Sequence, residues 1–451
     1  MAKAEIDEHL EQLCVKIEQC ITIMRQEPDK YFVHPGKDFT RLRKISLRDL
    51  MLFYIFRSGG SIHKELRIYY ENKYKDRERP SASAFVQQSN KLKPEAFTLL
   101  ASIYGENIKS EKKYHGYNLW AVDGTDLTVA GNKSEETHIK INQYCHGNII
   151  HNNLIYDLFN KRYVNYFYQP KKSSNEVDAL LQMLRSTTID NKTILTADRG
   201  YPSYNLFAHL NETPNLKYVV RVKNDGFKFV KELPKCELDT DFETTVVTKQ
   251  TYYYKPGYTV IQKRKGKVKK NGKPYSDKTI DAQWDFGENY PLKIRVVRVE
   301  YRPGDYETLF TNLSREEFDR DQIKDIYAKR WGIESSFRQL KYSTGMMATN
   351  SKTAFNQQKE ILAKIIAFNF MMSAVNAIQI PQNPNNKLVY QINYTNFVDT
   401  FKDYFNGLID AEEFDREVRR ELVPVRSERK IKRPKQIVPK GYYSVMYRLA
   451  A

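Results

Sequence analysis

Over residues 46–60 the segment SLRDLMLFYIFRSGG opens on Ser46 with Asp49 three residues later, runs apolar, and stops at Gly59-Gly60. That pattern predicts a capped helix with a glycine stop. A second helix is expected from about Ile62, and a third over SASAFVQQSNKL with Ser81 or Ser83 as its cap. The periodicity makes residues 1–110 a helical region, compatible with a helix-turn-helix-like DNA module or with a plain bundle. From residue 111 the period shortens to that of strands. NLWAVDG predicts a central strand ending at Asp123, and NIIHNNLIYD with RYVNYFYQP predicts a hairpin closed by LFNK. Ser173 and Glu176 read as a capping box for a helix through Val177, Leu180, Leu181 and Leu184. TILTA predicts a buried strand ending at Asp198, and KYVVRVK another strand. The first three strands are expected to be antiparallel neighbours, and those joined through helices to pair in parallel.

The rhythm changes again over 223–289, where TTVVTKQTYYYK and a glycine-containing basic run predict an all-β insertion. LKIRVVRVEY and ETLFTN return to strand. A polar-striped helix follows, then an apolar stretch over 361–378 closed by Pro381 and Pro384. Lys364, Asn369, Ser373 and Asn376 interrupt that stretch, which makes it a core helix rather than a membrane span. Residues 395–421 predict helix, and 426–451 a basic tail. The expected organisation is a helical N-terminal DNA-binding region over 1–110, a catalytic core in two parts over 111–222 and 290–380, the β-rich insertion over 223–289 between them, and a helical and basic C-terminal region over 381–451.

Composition narrows the function. The chain has 451 residues, 41% hydrophobic and 13% aromatic, enough for substantial cores and for more than one domain. Its net charge of +18 points to a polyanion, nucleic acid before membrane. Residues 262–273 carry seven cations and no acid, and 426–440 carry net +6, so two short runs supply most of the excess. Cys14, Cys20, Cys145 and Cys236 form no C-x-x-C pair and lie at no zinc-finger spacing. The first residues lack a secretory apolar run, and no phosphate-loop motif argues for ATP. A cytoplasmic setting and neither a membrane nor ATP as partner are expected.

The candidate chemistry lies in YAKRWGIESSFRQLK. Tyr327, Arg330, Glu334 and Lys341 are spaced by three, four and seven, which returns them to one helix face. The apolar stripe runs beside them through Ile326, Ile333, Phe337 and Leu340, leaving the polar stripe to meet something anionic. Gly332 within this helix costs roughly 1 kcal/mol against alanine and implies close packing. Asp123 and Asp198 each follow a short apolar run. Three carboxylates on separate buried elements can hold Mg²⁺ or Mn²⁺, and two such ions can organise an in-line phosphoryl displacement. Asp126 is the alternative to Asp123. Asp123 and Asp198 each also read as a turn residue bonding its own backbone, and Arg330 with Glu334 as a surface ion pair.

The same segment matches the Y-(2)-R-(3)-E-(6)-K signature of bacterial DDE transposases of the insertion-sequence-four type. LWAVDGTD and TADRGY look like that family's two aspartate blocks, and the β-rich insertion between the second aspartate and the glutamate also agrees. The resemblance covers about residues 110–380, with SAFVQQSNKL more loosely similar to the family's N-terminal region. It implies a ribonuclease H-like α/β core with a mixed sheet and Asp123, Asp198 and Glu334 as catalytic ligands of two Mg²⁺ or Mn²⁺ ions. It also implies that Tyr327, Arg330 and Lys341 bind the phosphates of the cleaved strand, while Trp331 is a candidate for stacking on an unpaired base or for the core. Such enzymes cut the ends of their own element and join them to target DNA, as a dimer in the DNA complex. The competing expectations are a structure-specific nuclease on the same core and a non-catalytic DNA-binding descendant.

Overall fold

The computed structural model describes residues 2–41, 43–74, 78–107, 111–140, 146–247, 258–260, 284–287, 289–349 and 351–425. The basic runs 262–273 and 426–451 lie outside them.

Six helices come first: α1 (Ala2–Gln26), α2 (Pro28–Tyr31), α3 (Leu47–Phe56), α4 (Ile62–Lys73), α5 (Ala82–Ser89) and α6 (Glu95–Asn107). Ser46 caps α3 by accepting from the Asp49 amide at 3.0 Å, and Ser81 caps α5 in the same way from Ala84. Gly59 holds the positive φ expected of a chain reversal after α3. Nearly every residue of α3 is buried, which a bundle element explains and a groove-reading helix does not.

Among the described residues the sheet has ten strands. Strands β1 (Asn118–Val129), β3 (His146–Asp157) and β4 (Arg162–Pro170) are antiparallel neighbours, with the short β2 (His138–Lys140) beside β3. Helix α7 (Glu176–Arg185) then leads to β5 (Thr193–Ala197), which pairs in parallel with β1, and α8 (Tyr204–Glu212) leads to β6 (Leu216–Val222), parallel to β5. This is the expected order. Beyond β6 the sheet continues through β10 (Asp305–Thr311), β9 (Tyr290–Arg302), β7 (Leu238–Val247) and β8 (Tyr258–Val260). The described part of the expected β-rich insertion therefore differs from an all-β unit. It contains the helix α9 (Lys228–Glu232), and its strand β7 pairs with β9 to prolong the central sheet. Strand β9 buries Leu292, Ile294 and Val296 on one face and Val297 and Val299 on the other, as an interior strand does, and its two edges pair with β10 and β7.

Helix α10 (Arg320–Lys329), α11 (Trp331–Arg338), a π-helical turn over Gln339–Ser343 and α12 (Ala354–Ala377) follow, and α13 (Tyr394–Phe405) and α14 (Ala411–Arg420) close the described chain, with the small ladder β11 (Tyr390–Ile392) and β12 (Leu422–Pro424). Helix α12 is long and apolar enough to cross a membrane, but 78% of its apolar window is buried inside the protein. It packs on α1, α3, α6 and β4. One apolar core accordingly runs from the N-terminal helices through α12 to one face of the β1–β3–β4 sheet. The other face is covered by α7 and α8 around Trp120, Val122, Leu195 and Phe207.

Candidate active site

Strand β1 does not stop at Asp123 but runs on to Val129. Its pairing with β5 does stop there, at Val122↔Ala197. Asp123 and Asp198 are thus the next residues past the last parallel pair, Asp198 just beyond the end of β5 and Asp123 within β1 where its parallel neighbour stops. The turn reading fails for Asp123, which is in mid-strand, although its Oδ1 accepts from the Gly124 amide at 2.8 Å. It holds for Asp198, whose Oδ1 accepts from the Gly200 amide at 2.7 Å in the turn after β5.

The expected single striped helix is broken. Arg330 stands at the joint between α10 and α11, and Lys341 lies in the π-helical turn. Gly332 explains the tight fit of this segment on the sheet. A Cβ there would come within 2.7 Å of Leu158 Cδ2. The joint aims Arg330 between two acids, with Nη1 3.5 Å from Asp123 Oδ2 and Nη2 donating to Glu334 Oε1 at 2.8 Å. Arg330 is only 5% exposed, and its Nε and Nη1 have no hydrogen-bond acceptor. The guanidinium lies over the Tyr327 and Trp331 rings at 5.8 and 5.4 Å. Burial opposes its charge, yet the bond to Glu334 and the charges of Tyr327, Glu334 and Asp123 raise its pKa.

Asp123 is pushed up to about 6, first by burial and then by the charges of Asp198 and Glu334, with Gly124 and Arg330 pulling the other way. The three acids therefore feel one another, and together they exceed the one guanidinium among them. Among the described residues no three His, Cys, Asp or Glu side chains converge closely enough to hold a metal as they stand, because Arg330 lies between Asp123 and Glu334. In kind the donors fit Mg²⁺ or Mn²⁺, since they are hard carboxylate oxygens with an unbalanced negative charge.

The other predicted residues divide. Trp331 is 57% exposed beside Arg330, so it is not a core aromatic. Tyr327 is buried, packed in the cluster of Tyr117, Leu119 and Ile194, and this corrects its expected place on the DNA-facing stripe. It joins the buried stripe of α10 with Ile323 and Ile326, where it supports the guanidinium. Lys341 reaches across to donate to the backbone carbonyl of Asp126 at 2.8 Å.

On the opposite face of β1 stands a group that the sequence patterns did not suggest. Asp126 and His151 are cross-strand partners, and His151 Nδ1 lies 2.6 Å from Asp126 Oδ1. His151 Nε2 lies 3.1 Å from Glu176 Oε1, and Lys171 Nζ 3.0 Å from Asp126 Oδ1. Burial alone would raise the Asp126 pKa, but the hydrogen bonds from His151 and Lys171 hold it below the usual range. Glu176 is free for this role because the expected capping box does not form. Asn175 caps α7 instead, accepting from the Asp178 amide at 3.2 Å, and Ser173 lies in a 3₁₀ turn. Two glycines make the room. A Cβ on Gly124 would stand 2.5 Å from His151 Nε2 and 2.7 Å from Glu176 Oε1, and one on Gly200 3.0 Å from Asp198 Oδ1 and 3.3 Å from Glu176 Oε2.

The family model of the transposase DDE domain matches residues 114–370, more than half of the chain. The chain belongs to this family. The match takes in both aspartates, Glu334 and the strands β1 to β10. No curated protein matches the transposase. A piggyBac transposase, solved as a synaptic complex with hairpin DNA, is similar over 82% of this chain and 70% of its own, at 10% identity and a TM-score of 0.43.

Proposed function

We propose that this chain is a cut-and-paste DNA transposase of the insertion-sequence-four type, built on a ribonuclease H-like core, that cleaves the ends of its own element and joins them to target DNA. The observation that carries the reading is the juxtaposition of Asp123 and Asp198, next past the last parallel pair of β1 and β5, with Glu334 across a single arginine. Asp123, Asp198 and Glu334 would hold Mg²⁺ or Mn²⁺. When bound, these ions polarise the scissile phosphate and lower the pKa of water for attack.

The chain's own residues supply the positioning. Arg330 offers a planar fork with two nitrogens unsatisfied, suited to grip phosphate oxygens. Tyr327 holds it from below. Lys341 stands on the β1 backbone as a point charge for the next phosphate. Trp331 presents an exposed ring for an unpaired base at the cleaved end. The buried floor of β1 and β5 keeps bulk water from one side of the acids.

An excision assay tests this. A plasmid carrying the DNA that flanks the gene around a marker should lose the marker when the wild-type chain is expressed, with terminal inverted repeats at the cut ends. The Asp198→Asn variant should leave the plasmid intact. Nicking of branched DNA with no preference for those ends would favour a structure-specific nuclease instead.

A further inference from the structure

The group around Asp126 lies one turn of strand from the acids, and the proposed reaction does not use it. Lys171 and Lys341 both end at this one residue, the first on its carboxylate and the second on its backbone carbonyl. They come from distant parts of the chain. Lys341 rises from the π-helical turn after α11, and Lys171 from the 3₁₀ turn between β4 and α7. That turn is held firmly. The Ser174 hydroxyl donates to the Lys171 carbonyl at 3.1 Å, and the end of β4 is paired to Ile150 on β3. Lys171 keeps 36% of its side chain in solvent, as does Glu176, while Asp126 keeps 43%. The pair is thus open enough to be exchanged. It is a solvent-exposed ion pair of small net value, which a doubly charged phosphate diester run can outcompete. Lys172 follows on the exposed side, and the short β2 beside this turn adds His138 and Lys140.

We propose that Lys171 is a second phosphate-contacting cation of this site, parked on Asp126 beside Lys341 and transferred to the backbone of the DNA strand when it binds. Asp126, His151 and Glu176 are then positioning residues. The His151 ring, wedged between the two carboxylates, fixes Asp126 at the height where both ammonium groups reach it. Glu176 also stands at the Gly200 turn beside Asp198, so the same chain joins the parked lysine to the catalytic end of β5. This inference rests on the reading of the site as a DNA-cleaving one.

The test uses the full chain and a fluorescent duplex of the DNA flanking the gene. Binding is measured in Ca²⁺ over a salt series, and single-turnover cleavage in Mn²⁺. Lys171→Ala should lower the steepness of log K against log salt by about one unit, the mark of one lost phosphate contact. Lys171→Arg should restore it, and the thermal midpoint of both should match the wild type. Asp126→Asn releases the ammonium without removing it, so the steepness should stay at the wild-type value. Wild-type steepness in Lys171→Ala overturns the proposal. So does an equal loss in Asp126→Asn and Lys171→Ala, which would make the lysine a structural partner of the carboxylate. Asp198→Asn separates the two levels: cleavage by this variant at the wild-type rate would refute the catalytic reading, whatever the salt series gives for Lys171.

Discussion

Two of the regions of buried charge, one under α12 and one around Asp123 and the end of β5, have opposite balances of sign. Under α12, Lys364, Lys402 and Arg57 face Glu65 and Glu360. There the acids are saturated. Glu65 accepts from the Ser58 and Gly60 amides at 3.1 and 2.7 Å, and Glu360 meets Arg57 Nη2 at 2.9 Å and the Ser351 hydroxyl at 2.7 Å. Lys359 donates to the carbonyls of Ser89 and Leu92, and Lys364 to those of Ile55 and Arg57. These groups tie the N-terminal helices to α12 and call for no ligand. Beside the end of β5, Asp123 and Glu334 share one guanidinium with Asp198 close by, and burial pushes Asp123 up to about 6. A region with surplus cations satisfied by carbonyls is structural. Arg57 and Arg330 alike leave Nε and Nη1 without an acceptor, so the two regions differ in which sign is in surplus, cations under α12 and carboxylates around Arg330.

The sharpest way to break this contrast is to remove acids from each region. Asp123→Asn, Asp198→Asn and Glu334→Gln should each reduce single-turnover cleavage by more than the roughly 10–100-fold typical of groups that only orient a ligand. Asp198→Asn should keep the wild-type melting temperature, whereas Glu334→Gln takes the acceptor from buried Arg330 and should lower it. Glu360→Gln should do the reverse. It leaves Arg57 buried without its counter-charge and should cost about 3–5 kcal/mol in a urea titration, while the cleavage rate of the folded fraction stays unchanged.

A smaller effect separates the regions by pH. Burial lowers the Lys359 pKa to about 7, with Glu360 opposing, whereas an unfolded lysine titrates near about 10.4. Between these values the unfolded chain binds a proton that the folded protein has released, so stability rises with pH across that window and the penalty is full below pH 7. The wild type should gain on the order of 2–4 kcal/mol between neutral pH and pH 10 relative to Lys359→Met. Parallel pH curves for the two proteins would show that the three oxygens around Nζ hold the proton against burial. The smallest effect is expected at Gly332. Alanine there gains about 1 kcal/mol of helix propensity but meets the movable end of Leu158 at 2.7 Å, so Gly332→Ala should shift stability by no more than about 1 kcal/mol.

Much of this was legible in the chain. The period change near residue 111, the antiparallel-then-parallel strand order and the core helix over 361–378 follow from apolar spacing alone, because those elements bury their patterned faces. The break at Arg330 was not legible. The spacing of Tyr327, Arg330, Glu334 and Lys341 fits one continuous polar stripe, whereas Tyr327 joins the buried stripe of α10 with Ile323 and Ile326, and Gly332 lies close to Leu158. The cap of α7 was misplaced because Ser173 and Glu176 have the right spacing, while Asn175 competes two residues later. The signal for the Asp126 group was present in IIHNNLIY, where three polar residues interrupt an apolar strand. All three are buried, which demands partners that a strand pattern cannot name.

The central claim is that the acid surplus at Asp123, Asp198 and Glu334 is a divalent-cation site for cutting DNA. Its most direct test is Mn²⁺ titration of the wild type and of Asp198→Asn by calorimetry, in the presence of the duplex flanking the gene, alongside cleavage of that duplex. The wild type should bind Mn²⁺ and cut, Asp198→Asn should lose both, and Ca²⁺ should support DNA binding without turnover. Cleavage that persists in a chelator, or equal Mn²⁺ binding by the two proteins, would contradict the account.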